Sequence, residues 1–396
     1  MKKILILGAS YSLLPLIRAA KRLGYRTAAA SIPGDYPGFA AADESCYADI
    51  TDPEQVLKAA ASVGADGIAL CSMDIGLRSQ GYVNSRLSLR GPSWETVQKC
   101  TDKYEMKKAF QCAGVHTSAF EKIYNEKDLE RACARLRFPL IIKAVDQMGS
   151  RGVFKCETRE EVFSYYKETQ KATHKEYCIL EEFLEGTMFG VEAMVENKKP
   201  VYILPVGNDL HRGNPPFPVG HYVPWEKEAE LKEKIHAEVY KVMDALGADN
   251  CPMDFDMMLK DGEIYVIEAT VRAGATALAE LVGIHYGIDY YEAIVKLAMG
   301  EPVRELFVRE PWQRTANITR ILEAQKEGTV AYFTADFPDD ENVVELSFNI
   351  HPGDRVRRMK NGRDRIGQVI IKGQNVLECR ERLEKLQKEI HVEVKP

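Results

Sequence analysis

Four consecutive apolar residues, Ile4-Leu5-Ile6-Leu7, run into Gly8, and an apolar-periodic segment from Leu13 to Leu23 follows. A strand with no polar residue on either face has to be covered on both sides, as in parallel sheets flanked by helices. The pattern recurs. Gly24-Tyr25-Arg26 ends the first helix, Thr27 to Ser31 reads as the next strand, and Asp52-Pro53 opens a helix through Ala61. Gly67 to Cys71 is another buried strand, and Gly91-Pro92 marks a turn before a new helix. The opening is therefore α/β, built on a parallel doubly wound sheet.

A chain of 396 residues exceeds one ordinary core, and three units are expected, at 1–92, 93–305 and 306–396. The second mixes longer strands (Pro139 to Ala144, Tyr177 to Glu182, Gly190 to Val195) with helices over Glu226 to Leu246 and Asp289 to Met299. The third carries strands at Val343 to Ile350 and Gly367 to Ile371 and a helix from Leu377 to Glu389. A net charge of −6 offers no general basic face, which argues against nucleic acid as the main partner. The first apolar run is too short for a secretion signal, and no stretch nears the ~18 apolar residues of a membrane span. Nine cysteines without a Cys-x-x-Cys pair suggest neither a zinc site nor disulfides, and the expectation is a cytoplasmic protein with free thiols.

Four local patterns carry chemistry. Thr101-Asp102-Lys103-Tyr104-Glu105-Met106-Lys107 opens a helix; alone, a lysine there is more often a solvated charge than a phosphate ligand. Phe138-Pro139-Leu140-Ile141-Ile142-Lys143-Ala144 ends an apolar strand on Lys143, a costly place for a charge without an anion. Shortly after comes Gln147-Met148-Gly149-Ser150-Arg151-Gly152-Val153, whose glycines let backbone N–H groups close on phosphate oxygens. Third, Ile179-Leu180-Glu181-Glu182-Phe183-Leu184-Glu185-Gly186 is a strand end able to offer backbone groups and a carboxylate to an adenine edge; by itself it also suits an ordinary solvated strand end.

The fourth pattern, Asp254 to Glu268, is the most specific. It reads as a hairpin turning at Lys260-Asp261-Gly262, with Asp256 and Glu268 equidistant from the turn and so facing each other. Opposed carboxylates repel unless a divalent cation holds them, and hard Mg²⁺ suits carboxylate plus phosphate oxygens. Arg272, close behind, supplies a fixed cation for a phosphoryl group or a substrate carboxylate.

In this order and spacing the segments resemble the ATP-grasp superfamily over residues 1 to about 300. The resemblance implies an ATP-grasp fold with an N-terminal parallel α/β domain and a small C-terminal capping domain. It implies ATP and Mg²⁺ as cofactors, with Mn²⁺ as a substitute. Lys103 and Lys143 match the nucleotide lysines, Gly149, Ser150, Arg151, Gly152 and Val153 the glycine loop, and Glu181, Glu182, Phe183 and Leu184 the adenine linker. Asp256, Glu268 and Thr270 match the metal positions, and Arg272 and Lys143 the catalytic ones. Two departures stand out: Met188 where the family usually has a ribose-binding glutamate, and Thr270 where it usually has a metal-binding asparagine. The stretch from His351-Pro352-Gly353-Asp354 to Val369 looks like the capping domain of biotin carboxylases, phosphoribosylglycinamide synthetase and L-amino acid ligases. Gly207 to Pro224 resembles the substrate-side loop of the L-amino acid ligases, where His211 and Arg212 could reach the transferred phosphate or a carboxylate and could equally be ordinary loop residues; Arg212 joins the expected catalytic set.

The implied activity is MgATP-dependent activation of a carboxylate as acyl phosphate and its joining to an amine, with small-molecule partners and a homodimer expected. Bicarbonate as the acid is an alternative, and a nucleotide-binding regulator without turnover is another. A nicotinamide-dependent oxidoreductase needs Gly-x-Gly-x-x-Gly after its first strand, and Gly8-Ala9-Ser10-Tyr11-Ser12-Leu13 has one glycine.

Overall fold

The computed structural model describes residues 1–308, 314–335 and 340–395. The N-terminal unit alternates β1 (Lys3–Leu7), α1 (Leu14–Arg22), β2 (Arg26–Ser31), α2 (Pro37–Ala41), β3 (Glu44–Tyr47), α3 (Pro53–Val63), β4 (Gly67–Ala69) and α4 (Leu77–Leu87). All pairings are parallel, in the order β3-β2-β1-β4, so the strand order reverses between β1 and β4. Ile4 to Leu7 are fully buried, as the unbroken apolar run requires. Asp52 caps α3 by accepting from Glu54 and Gln55 N–H, and Gly64 ends it in the left-handed region at φ 63°.

Helices α5 (Trp94–Cys100) and α6 (Lys103–Cys112) lead into β5 (Phe120–Ile123), α7 (Glu126–Arg135), β6 (Leu140–Ala144), β7 (Val153–Cys156), α8 (Arg159–Ala172) and β8 (Cys178–Glu182). These strands form a small antiparallel sheet, β5-β8-β6-β7, with β7 at its edge. Next come β9 (Thr187–Glu196), β10 (Lys199–His211), β11 (Phe217–Val223), α9 (Glu228–Leu246), β12 (Cys251–Lys260), β13 (Glu263–Thr270), α10 (Leu278–Tyr286) and α11 (Tyr290–Ala298). The C-terminal part holds β14 (Ala316–Glu323), β15 (Gly328–Ala335), β16 (Val343–Phe348), β17 (Arg355–Val356), β18 (Arg365–Gly373), α12 (Val376–Glu389) and β19 (Ile390–Lys395).

One eight-stranded sheet, β13-β12-β9-β10-β11-β14-β18-β16, organises the molecule. Its last three strands come from beyond residue 306, so the C-terminal segment extends the central sheet through β11–β14 pairing. The stretch from Gly207 to Pro224, expected as a loop, is mostly strand: only 212–216 and Pro224 lie outside β10 and β11. Its glycines, prolines and polar residues conceal a period-2 pattern in which Phe217, Val219, His221 and Val223 are buried. Among the described residues, no helix is long and apolar enough to cross a membrane.

Candidate active site

The β12–β13 hairpin turns on Asp261 and Gly262, both at positive φ (52° and 77°), the conformation a two-residue Asp-Gly turn takes. That turn sets the register as far as Met257 with Val266, and a one-residue shift beyond it pairs Asp256 with Glu268 and Asp254 with Thr270. On the other side of β12, β9 places Glu192 opposite Asp254 and Gly190 opposite Asp256. Because paired and alternate residues share a face, Glu192, Asp254, Asp256, Glu268 and Thr270 form one acidic floor.

The first lysine comes to this floor from α6. Asp102 caps that helix by accepting from Tyr104 and Glu105 N–H, and Lys103 Nζ reaches Glu268 at 2.9 Å and the Gln147 carbonyl at 2.8 Å. Lys143 and Glu181, on neighbouring strands β6 and β8, meet at 2.5 Å. The other oxygen of Glu181 takes Lys107 Nζ at 2.6 Å, and Lys107 also donates to Thr117 and Ser118 hydroxyls, both at 2.7 Å. Lys107, Lys143 and Glu181 are 1%, 4% and 4% exposed, so this two-lysine, one-carboxylate group is a buried charged network.

Burial pushes the Glu181 carboxyl up, and the two ammonium groups more than reverse it, holding it at about 2. Burial brings Lys107 down to about 8 against the pull of Glu181. Replacing Lys107 by methionine leaves Glu181 with one cation, and the unfolding free energy is expected to fall by about 3 kcal/mol. Chemical denaturation checks this; an unchanged midpoint would show that Lys143 alone satisfies Glu181.

Arg272 is held from two sides. Nε and Nη2 donate to Asp74 at 2.7 and 3.2 Å, and Nη1 donates to Asp254 at 2.6 Å and to the Ala273 carbonyl at 3.0 Å. Asp74 follows β4 of the N-terminal unit, in the loop that also sends Ser72 Oγ to the Gly274 carbonyl at 2.8 Å. The loop lies beyond a carboxyl end of the parallel sheet beside its strand-order reversal, where α/β folds hold ligands. Burial lowers the Arg272 pKa, and Asp74 and Asp254 more than offset this and raise it.

Of the expected residues, Lys103, Asp256 and Glu268 converge on the floor, while Lys143 and Glu181 form the neighbouring network. Thr270 Oγ1 lies 3.5 Å from Asp74. Gly149, Ser150 and Gly152 all have positive φ (64°, 58°, 64°), and a Cβ on Gly152 would sit 2.6 Å from Ala172 Cβ. Arg151 Nε is buried without a partner, Val153 begins β7, and Phe183 lies under Lys155 Nζ, 4.4 Å from the ring centre. Phe183 continues into Leu184 past the end of β8.

Two residues are not brought to the cluster. The Glu182 carboxylate accepts from Arg137 N–H at 3.0 Å, because strand alternation turns it away from Glu181. Arg212 lies exposed past the end of β10 and contacts none of the acidic or lysine groups, since the hairpin tip carries it outward. Lys107, Asp74, Asp254 and Glu192 were not foreseen. Lys107 had one visible signal, its place one helical turn after Lys103.

The floor fits a nucleotide-bound Mg²⁺. Asp256 and Glu268, facing each other across the hairpin, are the carboxylates that would hold such an ion, with phosphate oxygens completing its shell. Buried Gln147 Oε1, Arg151 Nε and Glu192 Oε1 lack partners, as expected of groups beside a polar ligand. Burial, then Asp254 and Glu268, push Asp256 up to about 7. A cation must displace that proton, so affinity for Mn²⁺ probed by relaxation should rise about tenfold per pH unit from pH 5 to 7 and level off above. A flat response over that range would refute proton competition at Asp256.

A family model described as ATP-grasp domain matches residues 100–276, and one described as L-amino acid ligase C-terminal domain 2 matches 320–395. The chain is 35% identical to the phosphoribosylglycinamide synthetase structure from Anaerococcus prevotii, covering 100% of both chains at TM-score 0.83. An L-amino acid ligase structure from Bacillus licheniformis is 20% identical, covering 100% of this chain and 99% of its own at TM-score 0.85, a likeness of fold. Protein y4rH of Sinorhizobium fredii is 24% identical over 301 residues, 73% of this chain and 60% of that protein, so the chain spans three fifths of its length. With a family model over residues 100–276 and a relative at 35% identity covered over its whole length, the chain belongs to the ATP-grasp superfamily of carboxylate–amine ligases.

Proposed function

We propose that this chain uses MgATP to convert a carboxylic acid to an acyl phosphate and joins the acyl group to an amine, with an amino acid as the acid. The observation that carries the reading is the bridge from Lys103 to Glu268 at 2.9 Å, which joins a nucleotide lysine to the Asp256–Glu268 pair beside Arg272. The match of residues 320–395 to an L-amino acid ligase domain supports an amino acid as substrate.

Lys103, Lys143 and the N–H groups of Gly149 to Val153 neutralise the phosphates, and Asp256 and Glu268 hold Mg²⁺, which supplies further neutralisation when bound. A carboxylate oxygen of the acid bonds to the γ-phosphorus as the bond from that phosphorus to the ADP oxygen breaks. Arg272 offers fixed positive charge to the transferring group. The amine nitrogen then bonds to the acyl carbon, phosphate leaves, and the nitrogen gives up a proton. The glycine loop keeps water from the acyl phosphate meanwhile. No enzyme nucleophile is needed, and all nine cysteines are free thiols, in keeping with a cytoplasmic enzyme. The same reading includes a homodimer; a monomeric mass by light scattering would remove that part.

The test is phosphate release from MgATP against amino acids singly and in pairs, with and without bicarbonate. Release that needs an amino acid and an amine, with stoichiometric amide, supports the ligase. Release that needs bicarbonate would replace the acid, and binding of MgATP without release under any condition would defeat the reading.

A further inference from the structure

Strand β7 follows the glycine loop directly and forms an edge of the small sheet, so its outer peptide groups need a partner. They find one on the β10–β11 hairpin. Asn214, in the 212–216 tip between β10 and β11, accepts from Lys155 N–H through Oδ1 at 3.1 Å and donates from Nδ2 to the Lys155 carbonyl at 3.2 Å. A side-chain amide carries a donor and an acceptor as a peptide does, and here it stands in for one residue of a neighbouring strand. The tip belongs to the central sheet, whose β9 bears Glu192, while β7 belongs to the sheet that bears Lys143 and Glu181. Lys155 reaches the adenine linker as well, with Nζ 4.4 Å from the centre of the Phe183 ring.

We propose that Asn214 is a positioning residue that latches the glycine loop closed from the substrate-side hairpin, so that movement of that hairpin is felt by the nucleotide lid. The inference rests on the nucleotide role of residues 149–153. Three residues separate Gly152 from Lys155's strand neighbour Cys156, so fixing Lys155 at both peptide groups limits how far the loop can lift. The hairpin is also the segment that resembles the substrate-side element of the ligases. A lid fastened to it closes fully only when the substrate side is in place, which protects a water-sensitive intermediate.

Asn214 is exposed, so truncating it should leave the fold intact, and an unchanged melting temperature verifies this. In Asn214→Ala, amide hydrogen exchange over residues 150–156 should become about tenfold faster, the value expected from two lost surface hydrogen bonds, with β5 unchanged. The MgATP dissociation constant should rise about fivefold to tenfold, and phosphate released per amide formed should increase. Asn214→Asp keeps the acceptor but loses the donor and places a carboxylate against the Lys155 carbonyl, so it should behave like the alanine variant. Unchanged exchange over 150–156 would overturn the latch, as would faster exchange with unaltered MgATP affinity. A chain that binds MgATP yet forms no amide would sink the ligase reading while exchange and affinity still judge the latch. Failure to bind MgATP at all would overturn both.

Discussion

Glu268→Gln should reduce ligation by about 1,000-fold while leaving the chain folded. The carboxylate stands opposite Asp256 in the hairpin and 2.9 Å from Lys103, so in the proposed mechanism its charge serves a bound cation as well as that lysine. Glutamine is nearly isosteric and keeps the hairpin, but it removes one of two carboxylates available to Mg²⁺. Lys103 is 8% exposed and retains its bond to the Gln147 carbonyl at 2.8 Å, which limits the cost of leaving it with less negative charge nearby. The variant should therefore melt within a few degrees of the unaltered chain and bind Mn²⁺ more weakly by at least about tenfold. Steady-state phosphate release with saturating acid and amine measures the first effect. Turnover within tenfold of the unaltered chain would show that Glu268 does not serve the reacting phosphate.

Where an element is fixed by its own neighbours, the sequence was enough to place it. The hairpin itself follows from the Asp261-Gly262 turn, which sets the pairing as far as Met257 with Val266; a one-residue register shift beyond that, which the turn does not announce, brings Asp256 opposite Glu268 instead of Ile267. The parallel opening sheet follows from Ile4 to Leu7, apolar on both faces. What could not be read is what depends on distant partners. Arg272 is gripped by Asp74, 198 positions away, and Lys107 on α6 meets Glu181 on β8. Asp74 lies in no recognisable motif, and the linker pattern that contains Glu181 says nothing of its lysine partners, since a single carboxylate in a loop or strand looks the same whether it faces solvent or a buried cation. The β10–β11 hairpin was missed because glycine, proline and asparagine around 207–216 weaken the alternation that announces a strand. Arg212 lies in the exposed 212–216 tip of that hairpin, away from the acidic and lysine groups, a placement that the local sequence does not encode.

Arg272→Lys should lower kcat by roughly 100-fold to 1,000-fold. A guanidinium meets Asp74 through two nitrogens and Asp254 through a third, and an ammonium cannot reproduce that fork. The same bonds fasten the N-terminal unit to the central sheet, so a lost rate has two explanations, a displaced positive charge beside the reacting phosphoryl group or a shifted domain. Asp74→Asn separates them. It weakens the fastening as the lysine variant does but leaves the guanidinium, and it frees that guanidinium from one competing carboxylate. If Arg272 acts on the substrate, Asp74→Asn should retain kcat within about tenfold of the unaltered chain while Arg272→Lys does not. Equal losses in both would assign Arg272 to domain attachment alone. Arg272→Ala answers the structural half: it leaves Asp74 and Asp254 unpaired beside Asp256 and Glu192, and unfolding free energy should drop by about 3–5 kcal/mol. Denaturation of that variant within 1 kcal/mol of the unaltered chain would mean that the acidic floor takes up protons readily enough to need no arginine for stability.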